Sequence, residues 1–293
     1  MLENIGFVMS NENAIEDMTM NSIPFFKMSG SGNDFIIVDN RKHQVSEKTL
    51  PQMIVGACRR KMSVGADGFI LVEEGSRADF QWRFYNADGS RAEMCGNGAR
   101  CVSRFAFLNN IAGPRMSFET DAGIISAEIV GDRVKIRMTD PLDLNDHLVL
   151  ELGNDKVPYA FINTGVPHVV IRVADTASVD VAEKGRKIRY HETFSPAGTN
   201  VNFTSPGREN ELTIRTYERG VEGETLACGT GSVAAALIAA KQDGLVSPVT
   251  VITRSGEPLR IFFRPDGFSF SDVFLEGDAR VIYTGELWEE AWK

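Results

Sequence analysis

Residues 92–101, AEMCGNGARC, place a cysteine, Cys95, directly before two glycines and a helical run. Residues 226–240, LACGTGSVAAALIAA, repeat this arrangement around Cys228. A single Cys-Gly-X-Gly segment is compatible with a turn that contains a buried, small apolar side chain. Because the segment occurs twice, each time before a helical run, it predicts two related units that each present a thiol at a helix start.

Other landmarks recur at the offset that separates the two cysteines, which is 133 positions. The segment GSGNDFIIV contains Gly32, and its counterpart NTGVPHVVI contains Gly165 at the same offset. The segment GADGFILV begins at Gly65, and GTNVNFTS begins at Gly198, again 133 positions later. Three coincident offsets in the same order predict two homologous halves with the active cleft between them.

Short runs rich in β-branched and aromatic residues predict that strands dominate the fold, as in DFIIVDN, FQWRFYN and ELTIRTYE. The pairs Gly131-Asp132 and Asp266-Gly267 lie between such runs and predict hairpin turns. Strands and helices do not alternate regularly, which disfavours a doubly wound parallel sheet. Residues 233–240 contain no charged side chain, so this helical run is expected to be buried on all sides. The predicted class is α+β, with mixed, mostly antiparallel sheets around a central helix in each half.

The chain has 293 residues and a formal net charge of −9, which disfavours binding to nucleic acid or to an anionic membrane. The basic cluster EKGRKIRYH, residues 183–191, is short and is interpreted as a solvated face. No apolar run approaches the roughly 20 residues of a membrane helix. Residues 1–22 lack the features of a signal peptide and predict a loose extension. Four cysteines without an export signal fit a reducing compartment, so we expect a cytoplasmic protein.

A cysteine at a helix start faces backbone N–H groups without helical partners and the positive end of the helix dipole. These features stabilise a thiolate, so the pKa of such a thiol is expected to fall below its usual value of about 8.5. Neighbouring glycines leave the same amides open to a ligand carboxylate. Two such thiols on opposite sides of an α-carbon can remove a proton from one face and deliver one to the other. The pattern therefore predicts stereoinversion without a cofactor.

Other interpretations of the cysteines and glycines are rejected. Zinc sites use close-set cysteine pairs or histidine partners, whereas five residues separate Cys95 from Cys101 in the pattern C-x₅-C, with no nearby histidine. GTGSVA matches a dinucleotide-binding pattern, but it is not in a β-α-β unit, no acidic residue follows at the expected spacing, and no P-loop lysine follows.

Cys58 and Cys101 lack flanking glycines and are interpreted as structural thiols. His43, His147 and His191 lie in polar segments and are expected to have no catalytic role.

The chain closely resembles the diaminopimelate epimerases over about residues 24–288. Four segments carry the resemblance: FFKMSGSGNDFIIVDN, FYNADGSRAEMCGNGARC, GTNVNF and YERGVEGETLACGTG. Members of this family interconvert LL- and meso-2,6-diaminoheptanedioate on the lysine and peptidoglycan pathway without a cofactor. The resemblance implies that reaction, with no metal and no cofactor. It also implies a homodimer and two pseudo-symmetric halves, each a barrel-like sheet wrapped around a central helix.

The resemblance further implies that Cys95 and Cys228 are the two acid–base thiols, and that His168 supports catalysis near one of them. It implies substrate-binding roles for Asn33, Asn86, Gly96, Asn97, Asn200, Glu218, Arg219, Gly229 and Thr230. Within this set, Glu218 and Arg219 would hold the ammonium and carboxylate ends, since Arg suits a bidentate grip on carboxylate. Many family members have Asn where Val166 stands and Gln where Gly68 stands. These departures affect recognition of the distal end of the substrate.

The expected domain division is an extension at 1–22, an N-terminal half at 23–139 plus about 280–293, and a C-terminal half at 140–279. Two other functions remain open. One is a racemase or epimerase of proline, hydroxyproline or histidine on the same fold, against which CGNG and YERG both argue. The other is an isomerase or non-catalytic relative that keeps the fold as a binding module, and the presence of both cysteines argues against it.

Overall fold

The computed structural model describes residues 22–293. The N-terminal part contains β1 (Ser22–Gly30), β2 (Asn33–Asp39), α1 (Leu50–Cys58), β3 (Gly68–Glu74), β4 (Phe80–Asn86), α2 (Gly96–Leu108), β5 (Arg115–Thr120), β6 (Gly123–Val130) and β7 (Arg133–Arg137). The next elements are β8 (Leu142–Leu152), β9 (Asp155–Asn163), β10 (Pro167–Arg172), α3 (Val181–Arg189), β11 (Asn200–Pro206), β12 (Glu211–Glu218) and β13 (Gly223–Thr225). The chain continues with α4 (Gly229–Asp243), β14 (Val249–Ile252), β15 (Pro258–Asp266), β16 (Ser269–Asp278) and β17 (Arg280–Trp288). Short 3₁₀ turns lie at Thr176–Ser178, Glu192–Phe194 and Glu289–Ala291.

Most neighbouring strands are antiparallel, and the parallel pairs lie at corresponding places in the two halves. In the first half these pairs are β2–β3 and β4–β5, connected through α1 and α2. In the second half they are β10–β11 and β12–β14, connected through α3 and α4. A parallel pair needs a crossover connection, and here each crossover carries a helix. The prediction of two pseudo-symmetric halves with mixed, mostly antiparallel sheets is therefore confirmed.

The repeated glycines adopt the same backbone geometry in both halves. Gly32 and Gly165 have φ angles of 96° and 103°, and Gly65 and Gly198 have φ angles of 71° and 67°. These are left-handed conformations that glycine adopts without steric cost. The offset seen in the sequence thus corresponds to repeated turns in the structure.

Each half wraps its sheet around one helix, and the two helices start at the junction of the halves. Within α4, residues 233–238 are at most 2% exposed, as expected for a helix without charged residues. The halves are joined where β7 pairs with β16, with Ile136 directly opposite Leu275. A Cβ added at Gly96, the first residue of α2, would lie 3.8 Å from Ile136 Cδ1. A Cβ added at Gly229, the first residue of α4, would lie 3.4 Å from Leu275 Cδ1, so both helix starts converge on this junction.

The C-terminal strand returns to the first half. β17 is hydrogen-bonded to β1 in antiparallel register, with Trp288 opposite Ser22. This pairing agrees with assigning about 280–293 to the N-terminal half, although the domain boundaries stay a prediction. The expected extension at 1–22 lies outside the described residues, except that Ser22 begins β1.

Some elements were not predicted. The sequence did not predict five of the strands, which are β1, β5, β8, β11 and β13. It also did not predict the helix α3. The basic cluster 183–191 lies mostly in α3, which buries Val181, Gly185 and Ile188 against the sheet and exposes charged side chains such as the Glu183–Lys187 ion pair. The predicted solvated face is therefore one side of an amphipathic helix. The two predicted hairpin turns are confirmed, with φ angles of 65° at Gly131 and 59° at Gly267.

Candidate active site

Cys95 and Cys228 occupy the same position at the starts of α2 and α4. Each is the N-cap residue and has an extended backbone conformation. The Gly98 N–H donates to Cys95 Sγ at 3.5 Å, and the Gly231 N–H donates to Cys228 Sγ at 3.4 Å. The structure thus places both predicted thiols on the unpaired amides of the first helical turn.

The sequence predicted that the pKa of each thiol is lowered, and this prediction was wrong. Burial raises the pKa of the Cys95 thiol and raises that of Cys228 to about 12. The helix-start amides act in the opposite direction on both thiols, and the buried Arg100 guanidinium also lowers the pKa of Cys95. Desolvation of the charged form outweighs these contributions. Both thiols are therefore protonated at neutral pH in the protein without substrate.

One further charge acts on both thiols. The Glu218 carboxylate, at the end of β12, raises the pKa of both Cys95 and Cys228. Burial raises the pKa of Glu218 itself, and the neighbouring Thr225 side chain acts in the opposite direction. A charge on Cys95 also raises the pKa of Cys228. The two thiols and this carboxylate therefore form one electrostatically coupled group.

On the Cys95 side, predicted residues form a chain of hydrogen bonds. Asn97 Nδ2 donates to Asn33 Oδ1 at 2.7 Å, and Asn33 Nδ2 donates to Asp67 Oδ2 at 3.0 Å. Arg100 Nη2 donates to Asn97 Oδ1 at 2.9 Å. The structure thus brings Asn33 and Asn97 together beside the first turn of α2.

Arg100 is an important residue that the sequence reasoning missed. Its side chain is fully buried, and its guanidinium also donates to Ser31 Oγ at 2.7 Å and to the Asp278 carbonyl at 3.1 Å. Asp278 in turn accepts hydrogen bonds from both the N–H and the hydroxyl of Ser31. Arg100 follows Asn97 by three residues, a spacing that puts both side chains on one helix face and offered a sequence signal.

On the Cys228 side, Thr230 Oγ1 lies 3.5 Å from Cys228 Sγ. The Thr230 carbonyl accepts a hydrogen bond from Thr164 Oγ1 at 3.0 Å. Asn200 Oδ1 accepts the Arg219 N–H at 2.9 Å, which fixes the turn that follows Glu218. Gly96 and Gly229 are the first residues of their helices, so their backbone groups border the junction.

Asn86 and the Arg219 side chain are less closely connected to this group. Asn86 is exposed at the end of β4 and donates to Ser90 Oγ at 3.0 Å. Arg219 Nη1 donates to the Ala197 carbonyl at 3.2 Å. Within residues 22–293, no side-chain hydrogen bond joins Asn86 to another predicted site residue.

His168 is completely buried, and burial lowers the pKa of its imidazole to about 3, with a smaller contribution in the same direction from Arg219. Its Nδ1 lies 3.1 Å from Asn202 Nδ2. Sequence reasoning quoted the segment GTNVNF but overlooked Asn202. The remaining cysteines, Cys58 and Cys101, are buried among apolar side chains, as expected of structural thiols.

The described part of the chain contains no cluster of three or more His, Cys, Asp or Glu side chains suited to a metal ion. The predicted absence of a metal and a cofactor stays a prediction. No helix among residues 22–293 has the length and apolar character needed to cross a membrane.

The family model described as diaminopimelate epimerase matches residues 25–143 and 160–279. This chain belongs to the diaminopimelate epimerase family. A protein named diaminopimelate epimerase from Aquifex aeolicus is 46% identical over 279 residues, covering 91% of this chain and 98% of that protein. One of the same name from Archaeoglobus fulgidus is 44% identical over 279 residues, covering 90% of this chain and 96% of that protein.

Solved structures with low sequence identity share the fold of this family member. A phenazine biosynthesis protein of the PhzF family from Bacillus anthracis has a TM-score of 0.70 at 17% identity, covering 91% of this chain and 99% of its own. A hydroxyproline epimerase from Agrobacterium vitis, with bound trans-4-hydroxy-L-proline, has a TM-score of 0.64 at 14% identity, covering 92% and 93%. At these identities the likeness concerns the fold alone.

One of the two departures from the diaminopimelate epimerase pattern has a steric reason. A Cβ at Gly68 would lie 2.6 Å from Phe84 Cε2 and 3.0 Å from the Tyr85 carbonyl oxygen. A glutamine does not fit here unless the Phe84 ring moves. Val166 is half-buried, and nothing in the structure explains its replacement of asparagine.

Proposed function

We propose that this protein converts LL-2,6-diaminoheptanedioate to the meso isomer in lysine and peptidoglycan precursor biosynthesis. The observation that carries the proposal is the pair of cysteines at equivalent helix starts, both acted on by Glu218. Family membership and relatives that bear the name diaminopimelate epimerase support it.

The proposed reaction uses one thiolate and one thiol on opposite faces of the reacting α-carbon. The thiolate removes the α-proton, and the electron pair of the broken C–H bond remains on carbon as a carbanion. The opposite thiol then donates its proton to the other face, which inverts the centre and exchanges the roles of the two sulfurs. The coupling between Cys95 and Cys228 supports this pairing, because a charge on one disfavours ionisation of the other.

Substrate binding would provide the required thiolate. In the free protein the negative charge of Glu218 raises the pKa of both thiols. A substrate ammonium paired with Glu218 would cancel this effect and add a nearby positive charge, which lowers the thiol pKa values. The amides at the starts of α2 and α4 would bind the carboxylate next to the reacting carbon and stabilise charge that develops on it.

We assign the remaining residues as follows. Gly96, Gly229 and Thr230 bind the carboxylate at the reacting carbon, and Glu218 and Arg219 hold ammonium and carboxylate groups. The four asparagines Asn33, Asn86, Asn97 and Asn200 contact polar groups of the substrate, while His168 supports catalysis near one thiol. The hydrogen bonds that join Asn33 to Asn97 and Asn200 to the Arg219 backbone support a pre-organised site.

We further propose a cytoplasmic homodimer that needs no cofactor. β17 is hydrogen-bonded to β1, and it exposes Val281, Ile282 and Tyr283. An exposed strand with adjacent apolar side chains is a common place for association. The mass of the purified protein in solution, measured by light scattering, tests the dimer.

The activity is tested with purified protein and LL-2,6-diaminoheptanedioate, without added cofactor and with a metal chelator present. The expected result is an equilibrium mixture of the LL and meso isomers. Proline, trans-4-hydroxyproline and histidine serve as the competing substrates. Inversion of one of these, with no action on LL-2,6-diaminoheptanedioate, would show that the protein is a racemase or epimerase of another amino acid.

A further inference from the structure

The side chains of the sheet beneath the two helix starts differ in polarity. Beneath the start of α4 lie three buried polar side chains, those of His168, Asn202 and Thr216. The corresponding positions of the first half are occupied by Phe35, Ile70 and Phe84, which are also buried but apolar. The pseudo-symmetry of the backbone therefore does not extend to the side chains below the two helix starts.

Asn202 lies directly below the first turn of α4. A Cβ added at Gly231 would be 2.4 Å from Asn202 Oδ1 and 3.3 Å from Cys228 Sγ. In the first half, a Cβ added at Gly98 would meet apolar atoms of Trp82, Ile70 and Phe35 at 3.4–3.5 Å. The polar cluster of His168, Asn202 and Thr216 therefore belongs to the Cys228 side of the site.

The orientation of the Asn202 amide is fixed by its neighbours. Nδ2 donates to the Val169 carbonyl at 2.9 Å, and a carbonyl can only accept. Oδ1 accepts the Thr216 hydroxyl at 2.9 Å. The group that faces His168 Nδ1 is therefore the NH₂ of the amide, which is a donor.

This donor determines the protonation of the imidazole. Nδ1 must accept the hydrogen bond from Asn202, so it carries no proton. A neutral imidazole then has its proton on Nε2. In an imidazolium, Nδ1 would also carry a proton, and this donor would face the NH₂ donor of Asn202. His168 Nε2 is buried and has no hydrogen-bonding partner among the described residues. A buried polar group without a protein partner is rare, and a catalytic role is one of the reasons for which such a group is kept.

We propose that Asn202 is a positioning residue that holds His168 as a neutral imidazole with its proton on Nε2. His168 then offers a hydrogen-bond donor, and not a base, on the Cys228 side of the site. The catalytic role of His168 in this inference rests on the proposed function. The protonation state of its imidazole is a property of the protein alone. The Arg219 charge also disfavours an imidazolium.

The direct test is the ¹H–¹⁵N spectrum of the imidazole in protein labelled with ¹⁵N-histidine. The chain has four histidines, and the signals of His168 are those missing from His168→Gln. The expected result is a single tautomer with the proton on Nε2, unchanged from about pH 5 to about pH 8, where an ordinary histidine titrates. A proton on Nδ1, or an imidazolium within this range, would overturn the proposal.

Asn202→Asp tests the cause. A carboxylate cannot donate to Nδ1, so His168 is expected to become protonated on Nδ1 and to titrate at a higher pH than in the wild type. Turnover is expected to fall by about 10²-fold, the usual effect of losing one positioned donor, with a much smaller change in KM. An unchanged imidazole spectrum in this variant would contradict the assigned role of Asn202.

Thr216→Val is the matched control, because it removes the hydroxyl from Asn202 Oδ1 and leaves both contacts of Nδ2 in place. Its imidazole spectrum is expected to match the wild type, and a tautomer change as large as that of Asn202→Asp would refute the specific role of the amide. If Asn202→Asp does not fold, the wild-type spectrum still decides the proposal. Absence of epimerase activity in the wild type would reject the proposed function without affecting the spectroscopic result.

Discussion

Gly98→Ala and Gly231→Ala are substitutions at equivalent positions in the two halves, and we expect them to have opposite effects on stability. Each glycine lies three residues after its cysteine in the first turn of a helix. Alanine in a helix is favoured over glycine by about 0.5–1 kcal/mol. At Gly98 the added methyl group meets apolar atoms at 3.4–3.5 Å, an ordinary contact, so this gain should be retained.

At Gly231 the methyl group would lie 2.4 Å from Asn202 Oδ1 and must displace that side chain. Asn202 is held by Thr216, His168 and the Val169 carbonyl. Disrupting these contacts leaves buried polar groups unpaired, which costs about 1–3 kcal/mol for each group. Subtracting the helix gain of about 0.5–1 kcal/mol, we expect the free energy of unfolding of Gly231→Ala to fall by up to about 2.5 kcal/mol if one group is left unpaired, and by more if two are.

Urea unfolding followed by circular dichroism measures both variants against the wild type. The slope of the transition should stay constant, so that the shift in midpoint reports stability. Turnover of Gly231→Ala should fall as well, since Cys228 and Asn202 both border the added methyl group. Equal stability changes in the two variants would refute the reasoning that the surroundings of the two helix starts differ.

Three further results are expected. Cys95→Ser and Cys228→Ser should each abolish turnover, while substrate binding, measured by calorimetry, should weaken far less. A tenfold loss of turnover corresponds to a barrier change of about 1.4 kcal/mol. A variant that keeps a tenth of wild-type turnover would therefore show that its cysteine is not an essential base. Arg100→Met should lower the free energy of unfolding by at least about 2 kcal/mol, because Asn97 Oδ1 and the Asp278 carbonyl lose a buried donor, and urea unfolding that shows no loss would contradict this. Burial lowers the pKa of His168 from 6.5 to about 3, so the unfolded chain binds a proton that the folded protein does not, and stability present above pH 6.5 is lost towards pH 3. Urea unfolding at several pH values should show a steeper loss for the wild type than for His168→Gln, by about 1.4 kcal/mol per pH unit, and equal slopes would disprove the shift.

Local patterns in the sequence predicted the fold to a large extent. Gly32 and Gly65 recur 133 positions later as Gly165 and Gly198. The left-handed conformations of these four residues favour glycine. The uncharged stretch of α4 predicted its burial. The helix α3 was missed because its charged residues dominate the composition, although Val181, Gly185 and Ile188 have helical spacing.

The electrostatics of the site could not be read in the same way. The helix starts at Cys95 and Cys228 were visible in the sequence, but their desolvation depends on how the two halves meet. Burial reverses the expected direction of both thiol pKa values. Asn202 and His168 are 34 positions apart in the sequence and lie on neighbouring strands, and nothing local to either segment indicates that they are paired.

Proton transfer between two faces of one carbon is tested most directly in deuterated water. During early turnover of LL-2,6-diaminoheptanedioate, the thiol opposite the attacking thiolate carries a deuteron from the solvent. The account predicts that the meso product contains deuterium at the inverted centre while the remaining LL substrate stays largely protiated. A product that retains the substrate's own proton, or deuterium that enters both isomers equally from the start, would contradict the assignment of one thiol to each face.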